Sequence, residues 1–139
     1  MRMKPNLIHL VTSLCLFFLA EAATIDTDKF NAIMLDAEDG DSNAQLLAGH
    51  ALYEGKGVSK NIDESLKWYR LAAKQGNAFA QLIIGLCYSL GQGFAVNDSE
   101  SVKWFRKAAE QEDAEAQFYL GKAYAFGVGI VEDDTKAAK

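Results

Sequence analysis

The sequence predicts an all-α fold built from two-helix units repeated every 36 residues. Three observations carry this. The segments LLAGHALYEGKGV (46–58), LIIGLCYSLGQGF (82–94) and FYLGKAYAFGVGI (118–130) align without gaps. Gly49, Gly85 and Gly121 recur at that step, as do Gln45, Gln81 and Gln117 and the loop glycines that follow each run. Trp68 and Trp104 keep the same spacing inside KWYRLAAKQ and KWFRKAAEQ. Such self-similarity is the mark of a stacked array, in which each unit buries its apolar face against its neighbours.

The elements follow in chain order. Residues 1–22 read as a secretory signal peptide rather than as part of the fold. Arg2 and Lys4 give a basic start, Leu7 to Ala20 form an apolar run, and Ala20-Glu21-Ala22 offers small residues for cleavage. The run is short for a membrane anchor, the competing reading. Residues 23–40 predict a degenerate N-terminal helix, with DTDKFNAIMLDAED (26–39) in the register of a second helix that lacks its first partner. Repeat 1 occupies 41–76, repeat 2 occupies 77–112, and repeat 3 occupies 113–139 and is incomplete.

Within a unit, the first helix, near 42–54, places Ala44, Leu47, Ala48, Ala51 and Leu52 at helical spacing. Glycine closes it at Gly55, because glycine accepts the left-handed geometry of a helix C-terminus. The second helix begins at Asn61, Asn97 or Asp133, all good N-caps. Glu64 and Glu100 stand three residues later, in capping-box position. Acids in the first turn and bases toward the end suit the helix dipole.

The units AQLLAGHALYEGKGV…LKWYRLAAKQGNA and AQLIIGLCYSLGQGF…VKWFRKAAEQEDA resemble Sel-1-like repeats, relatives of the tetratricopeptide repeat. The resemblance covers 41–139 and implies a right-handed α-α solenoid acting as a scaffold or adaptor, which binds other proteins on its concave face. It also implies an exported setting, periplasmic or secreted, or the ER lumen in a eukaryotic host. Leu52 departs from the pattern where Tyr88 and Tyr124 supply a tyrosine, and Glu112 replaces the helix-ending glycine seen at Gly76.

The three internal copies separate packing from contact. Columns that keep small residues or glutamine are structural, and Trp68 and Trp104 read as core. The columns that vary in chemistry form a stripe: Asn43, Leu47, His50 and Glu54; then Phe79, Ile83, Leu86 and Leu90; then Glu115, Tyr119, Lys122 and Phe126. Unit two makes it wholly apolar. Phe79, Ile83, Leu86, Leu90, Tyr119 and Phe126, with His50 as a surface neighbour, are therefore the expected partner-binding residues; internal packing of the same stripe is the competing reading. A glycan-binding module is the alternative function, with Trp68, Trp104 and Tyr119 stacking on sugars.

Other chemistries find little support. Removing the leader leaves 12 Lys+Arg and 18 Asp+Glu, net −6, a poor balance for nucleic acid or anionic membranes. One cysteine, Cys87, and one histidine, His50, then remain. They form neither a disulfide nor a zinc set, and Cys87 shares its column with Ala51 and Ala123, which predicts a buried, inert thiol. No enzyme activity, cofactor, metal or stable membrane insertion is expected. The short last unit leaves apolar residues without a covering helix, which predicts either marginal stability as a monomer or self-association through 114–139.

Overall fold

The computed structural model describes residues 25–129. The expected leader over 1–22 and the expected cap at Asp133 lie outside the described residues. Among those described, six helices and no strands are present: α1 (Thr27–Glu38), α2 (Ser42–Glu54), α3 (Ile62–Lys74), α4 (Ala78–Leu90), α5 (Asp98–Ala109) and α6 (Ala114–Phe126). Each packs mainly on the next in chain order, so the described residues form a tandem stack that runs from α1 to α6. None of them is long and apolar enough to cross a membrane.

Every helix starts on an Asp or Asn whose side chain accepts the backbone N–H three residues on. Asp26, Asp41, Asn61, Asn77, Asn97 and Asp113 do this at 2.7–3.1 Å. Each such cap is worth about 1 kcal/mol. The capping-box expectation at Glu64 and Glu100 is corrected. Their carboxylates pair with Lys67 at 3.2 Å and Lys103 at 2.7 Å, because the N–H of Asn61 is already donated to the Leu52 carbonyl and that of Asn97 to Tyr88.

The first helices of the units end at Gly55, Gly91 and Gly127, with φ of 73°, 68° and 63°. The second helices end in the same left-handed geometry at Gly40 and Gly76, but Glu112 takes that place in α5 with φ 65°. A side chain there costs about 1 kcal/mol.

The helix glycines set the helix separation. A Cβ at Gly49 would stand 2.8 Å from the Tyr69 ring, and one at Gly85 would stand 2.7 Å from the Phe105 ring. Ser65 adds a 2.6 Å hydrogen bond to the Gly49 carbonyl from the same crossing. Gly121 differs: nothing lies within 4 Å of its Cβ position.

The repeated glutamines tie one unit to the next. Gln45, Gln81 and Gln117 donate to the carbonyls of Ala37, Ala73 and Ala109, near the end of the preceding second helix. Gln75 then donates to both Gly40 O and Gln45 Oε1, and Gln111 repeats this with Gly76 and Gln81. Each junction thereby satisfies backbone carbonyls that a helix end leaves unpaired.

The core lies between these helices. Ala48, Ala51, Ala72, Ala80, Leu82, Ile84 and Cys87 are fully covered, and the first helices α2 and α4 are mostly enclosed because each is flanked by the second helix of its own unit and that of the unit before. The two ends contrast. On α1, Asp36 is exposed in the column where Ala72 and Ala108 are buried, so that column ends on an acid. On α6, Phe118 is 60% exposed in the column where Leu46 and Leu82 are buried.

Candidate functional site: a groove between α4, α5 and α6

The expected partner stripe divides in two. Ile83 and Leu86 are buried, at 1% and 2% exposure, and belong to the core cluster. This corrects their placement on a free surface. A stripe at spacings of 4, 3 and 4 faces outward on a helix covered on one side, but α4 is covered on two. Phe79, Leu90 and Tyr119 are half-buried against the same cluster, and Phe126 is 74% exposed.

His50 is also corrected, from surface to interior. Its Nδ1 lies 3.4 Å from the Tyr69 hydroxyl and its Nε2 lies 3.6 Å from Glu54 Oε2, while Glu54 pairs with Lys56. Burial pushes the His50 pKa below its ordinary value; Lys56 adds to that and Glu54 opposes it. Loss of water around the ring thus favours the neutral imidazole.

What the structure assembles is a groove of about 340 Å³. Leu86, Ser89 and Leu90 of α4 form one wall. Asp98, Ser101, Val102 and Phe105 of α5 form the floor. Tyr119, Lys122, Ala123 and Phe126 of α6, with Val128, close the far side. The Phe105 and Tyr119 rings stack at 5.3 Å, which fixes the floor against the far wall. Burial, and then the Glu115 carboxylate, keep the Tyr119 phenol above its usual pKa. The Lys122 ammonium turns away to the Phe118 ring, 5.5 Å from its centroid. Of the expected residues, the groove brings together Leu86, Leu90, Tyr119 and Phe126, and leaves out Phe79, Ile83 and His50. Val102, Phe105 and Val128 were missed. The readable signal for them was the pair of column exchanges Tyr53 to Ser89 and Leu86 to Lys122, which empties this space.

The Sel1 repeat family model matches residues 42–77, 78–113 and 114–139. The chain belongs to the Sel1 repeat family. Its Sel1 array is similar to c5321, a protective antigen present in uropathogenic Escherichia coli strains that displays an SLR fold, with 34% identity and a TM-score of 0.73. That likeness covers 77% of this chain and 23% of the antigen, so the chain spans under a quarter of that relative's length. A Sel1 repeat protein from Oxalobacter formigenes is 32% identical, with a TM-score of 0.69 over 71% of this chain and 74% of its own. No curated protein matches the chain. Sel1 repeats are protein–protein interaction scaffolds of a non-catalytic type, and the stacked helix pairs of this array are that fold.

The remaining singled-out residues of the Sel1 array have packing roles. Cys87 is fully buried, and burial pushes its thiol up to about 12, far from a reactive thiolate. Trp68 and Trp104 are half-buried against the two core clusters, and Lys107 sits over the Trp104 ring at 4.5 Å.

Proposed function

We propose that this Sel1 array is an exported adaptor that captures another protein in the groove between α4, α5 and α6. The observation that carries the reading is the groove itself: apolar side chains from three helices converge there without filling it. In a folded chain such a surface is a contact site for a macromolecule. Export rests on the basic start, apolar run and Ala-Glu-Ala of residues 1–22, and it puts the partner in the periplasm or outside the cell, or in the ER lumen of a eukaryote. A second apolar surface, the α6 face around Phe118, Gly121 and Tyr124, supports self-association through 114–139; light scattering across a dilution series tests it.

The adaptor reading is tested by crosslinking in the producing cell. Leu90→Ser with Phe126→Ser removes two groove walls at positions that are only half-buried or exposed, so helicity should be kept. Crosslinked species that vanish in the double variant support the reading. Species that persist unchanged sink it. Cell fractionation, with and without residues 1–22, tests export: retention of the full chain in the cytosol would contradict it.

A further inference from the structure

The repeat itself records what fills this groove elsewhere in the molecule. All the lining positions have counterparts 36 residues earlier, and there the space is occupied. Tyr53 occupies it. That side chain is 9% exposed, it joins the core cluster with Leu66 and Cys87, and its hydroxyl lies 3.4 Å from Gln92 Oε1. Leu86 closes the rest at 2% exposure.

One period later the walls persist and the filling is gone. Val102 stands for Leu66, Ala123 for Cys87 and Phe105 for Tyr69, so the enclosure stays apolar. Ser89 stands for Tyr53 and ends at a hydroxyl. Lys122 stands for Leu86, and its ammonium lies over Phe118. The groove is therefore the place of a tyrosine ring that this junction does not supply.

We propose that the groove receives an aromatic side chain of the partner protein, in the position that Tyr53 holds inside the array. This rests on the groove being the partner site and adds the chemistry of what enters it. Val128 replaces Gln92, the residue that meets the Tyr53 hydroxyl, so the far end of the groove is apolar. A phenyl ring fits that end better than a phenol, whose hydroxyl would lose its partner there. An aliphatic side chain leaves part of the space unfilled.

The test needs no knowledge of the partner. N-acetyl-phenylalanine amide is titrated into the protein purified from cells producing the 139-residue chain, with methyl resonances followed by NMR. Saturable shifts are expected at Leu90, Val102, Ala123 and Val128, with a dissociation constant in the millimolar range. N-acetyl-tyrosine amide and N-acetyl-leucine amide should bind several-fold more weakly. Ser89→Tyr should refill the groove, abolish the shifts and leave the melting temperature at or above wild type. Absence of saturation, equal binding of the leucine compound, or shifts that survive a folded Ser89→Tyr variant would overturn the proposal. The wild-type titration decides the matter even if the variant folds poorly. If the titration fails while crosslinking still depends on Leu90 and Phe126, the aromatic occupant is wrong and the adaptor reading stands.

Discussion

Helices α4 and α6 occupy the same place in successive units and share their glycine, their small-residue columns and their caps. Their surroundings differ. Gly85 of α4 is pressed by the Phe105 ring, whereas the counterpart Gly121 of α6 meets nothing within 4 Å. Leu82 is fully buried on α4, and its counterpart Phe118 is mostly exposed. The same column thus carries packing energy in one unit and offers surface in the next. In a stacked array, burial is set by which neighbour is present, not by the residue alone.

The sharpest way to break this comparison is to truncate one phenylalanine from each environment. Phe105→Ala should cost about 3–4 kcal/mol in urea unfolding, because it removes the ring that meets Gly85 and stacks on Tyr119. Phe118→Ala should change stability by no more than about 0.5 kcal/mol. Equal effects would mean that the α6 face is covered in solution.

Alanine at the two glycines should give opposite signs. Gly85→Ala drives a methyl into a buried ring at 2.7 Å and should destabilise by about 1–2 kcal/mol. Gly121→Ala meets open space, so it should keep the helix-propensity gain of up to about 1 kcal/mol. Thermal melts of the two variants read the signs directly.

A smaller effect separates His50 from Leu86, its counterpart in the next unit. The His50 pKa is lowered in the fold from 6.5, so the unfolded chain takes up the proton first. The neutral imidazole's contribution is therefore whole above pH 6.5. It is lost as pH falls from there through the lower folded value. Wild type should lose stability over that window more steeply than His50→Leu, as measured by denaturation at stepped pH. Parallel curves would mean that Glu54 holds the protonated ring as well as water does.

The smallest effect is kinetic. Cys87 should be alkylated by iodoacetamide only as fast as the chain opens, since its thiol is buried and raised to about 12. A thiol placed one period later, by Ala123→Cys in a Cys87→Ala background, lines the groove and should react faster.

These contrasts also mark how far the sequence could be read. Helix placement was legible because caps and terminating glycines act locally: Asn61, Asn97 and Gly55 need only their own turn to do their work. The close helix crossing at Gly49 and Gly85 was legible from repetition. The fate of the varying stripe was not. Ile83 and Leu86 have the composition of a contact surface, and only the two-sided cover of α4 makes them core. His50 looked exposed because its column also holds a lysine. The fold instead gives it Tyr69 and Glu54 as neighbours. Glu64 matched a capping box, but a bond from Asn61 N–H across the loop to Leu52 O had already taken the donor. The groove depends on Ser89 being too short to fill its place, which shows in the sequence only once Tyr53 is known to point inward.

The glutamine rungs have a mechanical consequence. Gln75 and Gln111 each bind a carbonyl and a glutamine belonging to the preceding junction, so neighbouring units are tied by a small, discrete set of polar bonds beside their apolar contacts. Under tension from its ends, an array tied this way should yield one junction at a time rather than all at once. Each released 36-residue unit would lengthen the tether by roughly 120 Å, the span of that much extended chain. Force applied along the array would then be met in equal steps, each ended by the next pair of glutamines.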